Sequence, residues 1–246
     1  MKLSRTINHA NRRFWDADAT RYHEEHSDYL SSFYWCPEML HERDANLLGD
    51  TTGDCILELG CGSAACTEWL STKAQLAVGI DISRGMLGHA TKGLNLAQAD
   101  ALDLPFADDS FDKVFSAFGA LPFLSDIDQA LSEVSRVLRP DGSFVCALPH
   151  PFRWVFPDDP QSHEASISYF EDHYAETNDQ GDIDYIEFHR TMSEWISAFQ
   201  VRNRLLITKL IEPEWPSRLT TTWGQWSPRR GRIFPGTAIF CTLNVK

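Results

Sequence analysis

The residues of this 246-residue chain best suited to chemistry are three carboxylates, Glu58, Asp81 and Asp100, each standing where a short apolar run ends. Glu58 opens the stretch Glu58-Leu59-Gly60-Cys61-Gly62-Ser63-Ala64. Glycines at such a place let the backbone turn tightly and let a ligand approach its amides closely. A dinucleotide site sets a pyrophosphate on the following helix N-terminus and needs room at a third glycine. Here the pattern is E-x-G-x-G-x-A, and a carboxylate at the strand end would repel a pyrophosphate while suiting an ammonium or sulfonium. Asp81, about twenty residues beyond the glycine turn, is spaced to accept hydrogen bonds from both hydroxyls of a ribose. Asp100 stands where a carboxylate can accept from an adenine amino group, with Ala101 beside it. Three acids at successive strand ends predict one crevice at the carboxyl edge of a parallel sheet.

The elements that would position these residues follow from periodicity. From Asp54 to Leu148, short β-branched or apolar runs alternate with helix-period segments, as in βαβ units. Strands are predicted at 55–59, 76–80, 94–99, 111–116 and 143–148. Helices are predicted at 64–72, at 83–92 with Ser83 as cap, and at 127–138, the last closed by Arg139-Pro140-Asp141-Gly142. Residues 7–48 carry two or three helices rich in Trp, Tyr and His. Beyond Pro149, prolines, aromatics and acids crowd together, and short strand-like segments follow at Ile167–Phe170 and Asp184–Phe188. Thr191 to Arg204 is helical in period, and 206–211 and 238–245 are strand-like.

Through ILELGCGSA, VGIDIS, AQADALDLPFADDSFDKVFS and EVSRVLRPDGSFVCALP, residues 55–148 resemble the class I S-adenosylmethionine (SAM)-dependent methyltransferases, in the branch similar to quinone-biosynthesis enzymes. The resemblance implies an α/β, Rossmann-like class I methyltransferase fold. Its sheet would be mostly parallel and seven-stranded, with helices on both faces, an N-terminal helical segment and an inserted cover after the fifth strand. On this pattern residues 1–246 form one domain: an N-terminal helical cap (1–50), a SAM-binding core (54–148), a substrate cover (149–190) and a C-terminal helix and strands (191–246). Carried over by position, Glu58, Gly60, Cys61 and Gly62 face the methionine and ribose of SAM, and Asp81 takes the ribose hydroxyls. Ile82 and Met86 lie against the adenine, Asp100 and Ala101 on its edge, and Ser116 and Ala117 beside the methionine. Phe14-Trp15-Asp16 with Tyr22 resembles the helical segment that closes over SAM. Ala64 departs from the pattern, since many members have glycine there.

Methyl transfer from a sulfonium is an in-line displacement, so the enzyme must chiefly align the acceptor and exclude water, with a general base where the acceptor is oxygen or nitrogen. His150, between two prolines at the end of the fifth strand, is the candidate base because imidazole titrates near neutral pH. Arg153, Trp154, His189 and Arg190 flank the cover and are candidate acceptor-binding residues. The Glu187-Phe188-His189-Arg190 segment is a second candidate set for the base.

Composition narrows the partners. The formal net charge is −13, which argues against a polyanionic substrate such as nucleic acid. The one basic cluster, Arg229-Arg230-Gly231-Arg232, reads as a solvated turn. Six cysteines lack any Cys/His metal-ligand spacing, so no metal is expected and the thiols read as reduced. No apolar run nears the roughly 20 residues needed to span a bilayer, so no membrane insertion and a cytoplasmic setting are expected. A small-molecule methyl acceptor is the expected partner. Competing readings are a non-catalytic SAM-binding regulatory or partner-binding module, a nicotinamide-dependent oxidoreductase and a nucleic-acid methyltransferase.

Overall fold

Along the first strand, β1 (Cys55–Leu59), alternate side chains enter different cores: Leu57 and Leu59 pack into one cluster, Ile56 into another. The same period of two divides Val114 from Phe115, Cys146 from Val145 and Phe240 from Ile239. A sheet buried on both faces requires this pattern, and it explains why the central strands are almost wholly apolar. The structure, a computed structural model, describes residues 2–224 and 226–246, with backbone alone for residues 2–6.

The chain opens with α1 (Lys2–Glu25), a single-turn 3-10 helix (Tyr29–Ser31) and the short α2 (Glu42–Ala45). After β1 come α3 (Ala65–Leu70), β2 (Leu76–Asp81), α4 (Arg84–Leu87), β3 (Asn95–Gln98) and β4 (Phe111–Ala117). Helix α5 (Ile127–Val137) then leads into β5 (Leu138–Pro149). A hairpin, β6 (His173–Thr177) and β7 (Ile183–Phe188), stands apart from the main sheet and precedes α6 (Met192–Ile196). The remaining elements are β8 (Leu205–Ile211), α7 (Pro228–Gly231) and β9 (Thr237–Asn244).

The sheet order is β3-β2-β1-β4-β5-β9-β8, with β3 to β5 mutually parallel and β9 antiparallel to both its neighbours. This is the expected mostly parallel, seven-stranded, Rossmann-like sheet. Strand order reverses between β1 and β4, and ligands of open α/β sheets bind at that reversal, beyond the carboxyl ends of the strands.

Several elements differ from their sequence reading. Residues 7–48 do carry two α-helices and a 3-10 helix, as expected, but only α1 is long, because Pro37 and the left-handed Met39 and Asn46 stop regular structure after it. The turn expected at Arg139–Gly142 is absorbed into β5 as a register shift, with Asp141 left-handed. Ile167–Phe170 forms bends and turns rather than a strand. The segment 191–204 begins as α6 with a complete capping box, Thr191 and Glu194, and then widens to a π-helix over Ser197–Arg202. Among the described residues no helix is long and apolar enough to cross a membrane.

Helix α1 is fastened across the sheet's carboxyl edge by polar bonds from the exposed Asp16 and the buried Asn11. Asp16 Oδ1 accepts from the Ser83 hydroxyl and the Gly85 amide, both at 2.8 Å. A Cβ on Gly85 would lie 2.7 Å from the Asp16 carbonyl, so the approach of α1 to α4 depends on that glycine. Asn11 both donates to the Ile186 carbonyl and accepts from its amide, at 2.9 Å each, docking β7 onto the same helix.

Candidate active site

The glycine turn after β1 has the conformation its residue types allow. Gly60 and Gly62 are left-handed (φ 66° and 54°), and a Cβ on Gly60 would sit 2.6 Å from the Ala120 amide nitrogen. Ala64, which caps α3, is left-handed as well (φ 64°), so the departure from glycine there carries backbone strain in a residue with no exposed surface.

The three strand-end acids border one cleft between this turn and α1. Glu58 is buried, and its Oε2 accepts from the amide and hydroxyl of Thr67. Burial pushes its pKa up to about 7, against the opposing Thr67 bonds. Asp81 accepts from the Gly62 amide through Oδ2 and from the Ser83 amide through Oδ1, both at 2.8 Å, and burial pushes it up to about 6. Asp100 accepts from the Leu102 amide at 2.9 Å and from Asn8 Nδ2 at 2.6 Å. The cleft therefore holds one buried carboxylate, Glu58, and one half-buried, Asp81, with no cation against either among the described ion pairs, next to the glycine turn. Such a donor set fits a cationic ligand carrying a ribose and a base.

Tyr22, Gly60, Cys61, Gly62, Ile82 and Met86 all border the cleft, as do Ala101 and Ala117. Ser116 does not: it is fully buried beneath the cleft, its hydroxyl donating to the Leu59 carbonyl at 2.9 Å. Its expected place beside the ligand is corrected to a strand-to-strand tie. Sequence reasoning missed Asn8, Asn11, Tyr29 and Phe123, which also line the cleft. The usable signal was the apolar stripe of α1, since Asn11 falls on the same buried face as Ile7 and Ala10.

A second cavity, of about 410 Å³, lies between α1, the hairpin and the segment after β5. Trp15 and Tyr22, in edge-to-face contact at 5.6 Å, border both spaces and form the wall between them. Arg153, Trp154 and His189 line this outer cavity. His189 stacks on Trp154 (4.0 Å, 13°), and its two ring nitrogens are buried without a hydrogen-bond partner. Burial and the Arg153 guanidinium lower its pKa to about 4, so the ring is neutral at physiological pH. Arg190 lies outside the cavity, donating to the Leu124 carbonyl and packing over Trp195 and Phe188, where burial lowers it to about 10.

His150 borders neither space. Its Nδ1 accepts from the Phe152 amide, capping a 3-10 helix, and its Nε2 meets Glu212 Oε1 at 2.9 Å. The lone pair a base would need is spent on that cap, so the assignment of His150 as base is corrected to a structural role. The basic cluster is corrected too: Arg230 is fully buried and donates to the carbonyls of Pro157, Asp159 and Ser162.

Comparison with known proteins accords with this geometry. Residues 57–146 match a family model described as a methyltransferase domain. The chain is 37% identical over 120 residues to Methyltransferase GfsG of Streptomyces halstedii, covering 45% of this chain and 41% of that protein. It is 35% identical over 108 residues to the demethylmenaquinone methyltransferase of Thermobifida fusca, covering 40% and 45%. The matched region thus spans less than half the length of either relative. The crystal structure of an S-adenosylmethionine-dependent methyltransferase from Mesorhizobium loti shares the fold, with a TM-score of 0.65 at 23% identity over 81% of this chain and 94% of that one. Residues 57–146 are therefore similar to a methyltransferase domain, and the chain has the fold of the class I SAM-dependent methyltransferases.

Proposed function

We propose that the protein is a SAM-dependent methyltransferase acting on a small organic acceptor, with residues 1–50 as cap, 54–148 as cofactor core, 149–190 as acceptor cover and 191–246 completing the sheet. The observation that carries this reading is the wall of Trp15 and Tyr22, with an acid-lined cleft on one side and an aromatic cavity on the other. In-line transfer needs the methyl and the acceptor in direct contact, so the two spaces must join past the edges of Trp15 and Tyr22, whose rings then shield the junction from water.

Glu58 and Cys61, with the turn at Gly60 and Gly62, hold the methionine end of SAM, and Asp81 accepts from its ribose. Ile82, Met86, Asp100 and Ala101 surround its base, while Ala117 and Tyr22 close the cleft. The bound sulfonium supplies a methyl group already attached to a good leaving group. The acceptor packs its flat part against Trp154 and meets Arg153 and the neutral His189 with its polar part. His189 replaces His150 as the group able to take or share the acceptor's proton. A non-catalytic SAM-binding module would have its second cavity filled by side chains, and this one is open. The formal charge of −13 supports a small molecule rather than a nucleic acid as partner, in a cytoplasmic setting.

Calorimetric titration with SAM, S-adenosylhomocysteine and NAD in parallel tests the proposal, followed by an acceptor screen that reads S-adenosylhomocysteine formation. Binding of the first two and not NAD is expected. A folded sample that binds neither SAM nor its product overturns it.

A further inference from the structure

The asparagine at the start of the roof helix has one half of its amide committed and the other unmet. Asn8 Nδ2 donates to Asp100 Oδ2 at 2.6 Å. An ionised carboxylate can only accept, so this bond fixes which way the Asn8 amide points. Its oxygen, Oδ1, is consequently turned away from Asp100, shielded from water and without any partner. Buried carbonyl oxygens in folded proteins are almost always paired, and one that is not calls for an explanation.

The surroundings supply one. Asn8 borders the cofactor cleft and also a third space outside it, and Ile82, Ala99 and Asp100 border both with it. The Asn8–Asp100 bond is thus a partition at the end of the cleft where the proposed function puts the adenine. Asp100 Oδ1 accepts from the Leu102 amide and Oδ2 from Asn8, so each oxygen keeps one lone pair for the base.

Resting on that proposed function and deepening it, we propose that Asn8 is a specificity-determining residue for the cofactor's base: its Oδ1, beside Asp100, accepts from the exocyclic 6-amino group. Two acceptors side by side match a group with two N–H donors. They oppose a 6-oxo purine, which would turn oxygen lone pairs toward oxygen lone pairs. The same contact draws the N-terminal end of α1 down onto the base, so base recognition and closure of the roof depend on one side chain.

The test is calorimetry with S-adenosylhomocysteine and its inosine counterpart, which differs in carrying oxygen for the 6-amino group. It uses the wild-type protein, Asn8→Ala, Asn8→Leu and, as a control for loosening of α1, Asp16→Ala. Wild type should prefer the adenosine ligand by at least about tenfold. Asn8→Ala and Asn8→Leu should each lose about tenfold for that ligand and less than about twofold for the inosine ligand, so the preference falls about tenfold. Asp16→Ala should weaken both ligands alike and leave the preference intact. An unchanged preference in both Asn8 variants, or equal losses for both ligands, overturns the role of Asn8 while leaving SAM binding standing. Failure of the folded wild type to bind either ligand overturns the proposed function and this inference together.

Discussion

Thr67 binds the side chain of Glu58 twice, its amide donating to Oε2 at 2.9 Å and its hydroxyl to the same oxygen at 2.5 Å. These bonds favour the ionised acid, yet burial outweighs them and the pKa rises from 4.5 to about 7. The carboxylate is thus held rigidly at a place where, without a ligand, its charge is disfavoured. A site made ready for a cation in this way should be less stable empty than a neutral version of itself.

Glu58→Gln is expected to stabilise the ligand-free protein above neutral pH, by about 1–3 kcal/mol at about pH 8. The sign follows from the raised pKa. Protonated Glu58 favours the fold, and that contribution is full below about pH 4.5 and lost as pH rises through about 7. The gain over wild type should therefore shrink toward about pH 5. Denaturant titrations at both pH values check it, and a gain independent of pH would refute the cause given.

Binding a sulfonium beside Glu58 and Asp81 should drive protons off both acids, whose pKa values are raised to about 7 and about 6. SAM affinity should then fall as pH drops through this range. The binding enthalpy near about pH 6.5 should vary with the buffer's ionisation enthalpy, in the sense of proton release. Identical enthalpies in phosphate and imidazole buffers would contradict it.

Asp81→Ala removes the acceptor for the Gly62 and Ser83 amides as well as the expected ribose contacts. SAM affinity should fall by about 1.5–3 kcal/mol, with some loss of thermal stability because the glycine turn loses its anchor. Unchanged affinity would remove Asp81 from the site.

Trp154 borders the outer cavity and not the cleft. Trp154→Ala should raise the KM of an acceptor found by screening by about tenfold or more while leaving the Kd for SAM within about twofold. His150→Asn, which keeps a capping group, should instead leave kcat nearly unchanged and lower stability by about 1 kcal/mol through the lost Glu212 contact. A collapse of kcat in folded His150→Asn would restore His150 as the base.

The strands and the acids at their ends could be read from the chain because both are local: period-two burial marks a strand, and a strand end fixes where an acid emerges. Asn8 could not be read this way. Nothing near it shows that a helix residue will meet Asp100, 92 positions away. His150 misled for the same reason. Prolines on both sides suggest an open loop over the crevice, but its partner Glu212 arrives from just after β8, 62 positions on, and turns the ring into a joint. Arg230 reads as a surface charge until the carbonyls of residues 157–162 fold around it. In each case the deciding partner belongs to a segment whose course only tertiary packing determines.

Helix α1 contributes Trp15 and Tyr22 to both compartments and is held down through Asp16 at Ser83 and Gly85. A single roof over two chambers bears on the timing of a catalytic cycle. On the proposed function, the spent cofactor would leave from beneath the same helix that walls in the methylated acceptor, so one undocking event would serve both departures. Where that event is slower than the chemistry, the first turnover appears as a rapid burst and the steady rate measures the helix rather than the methyl transfer.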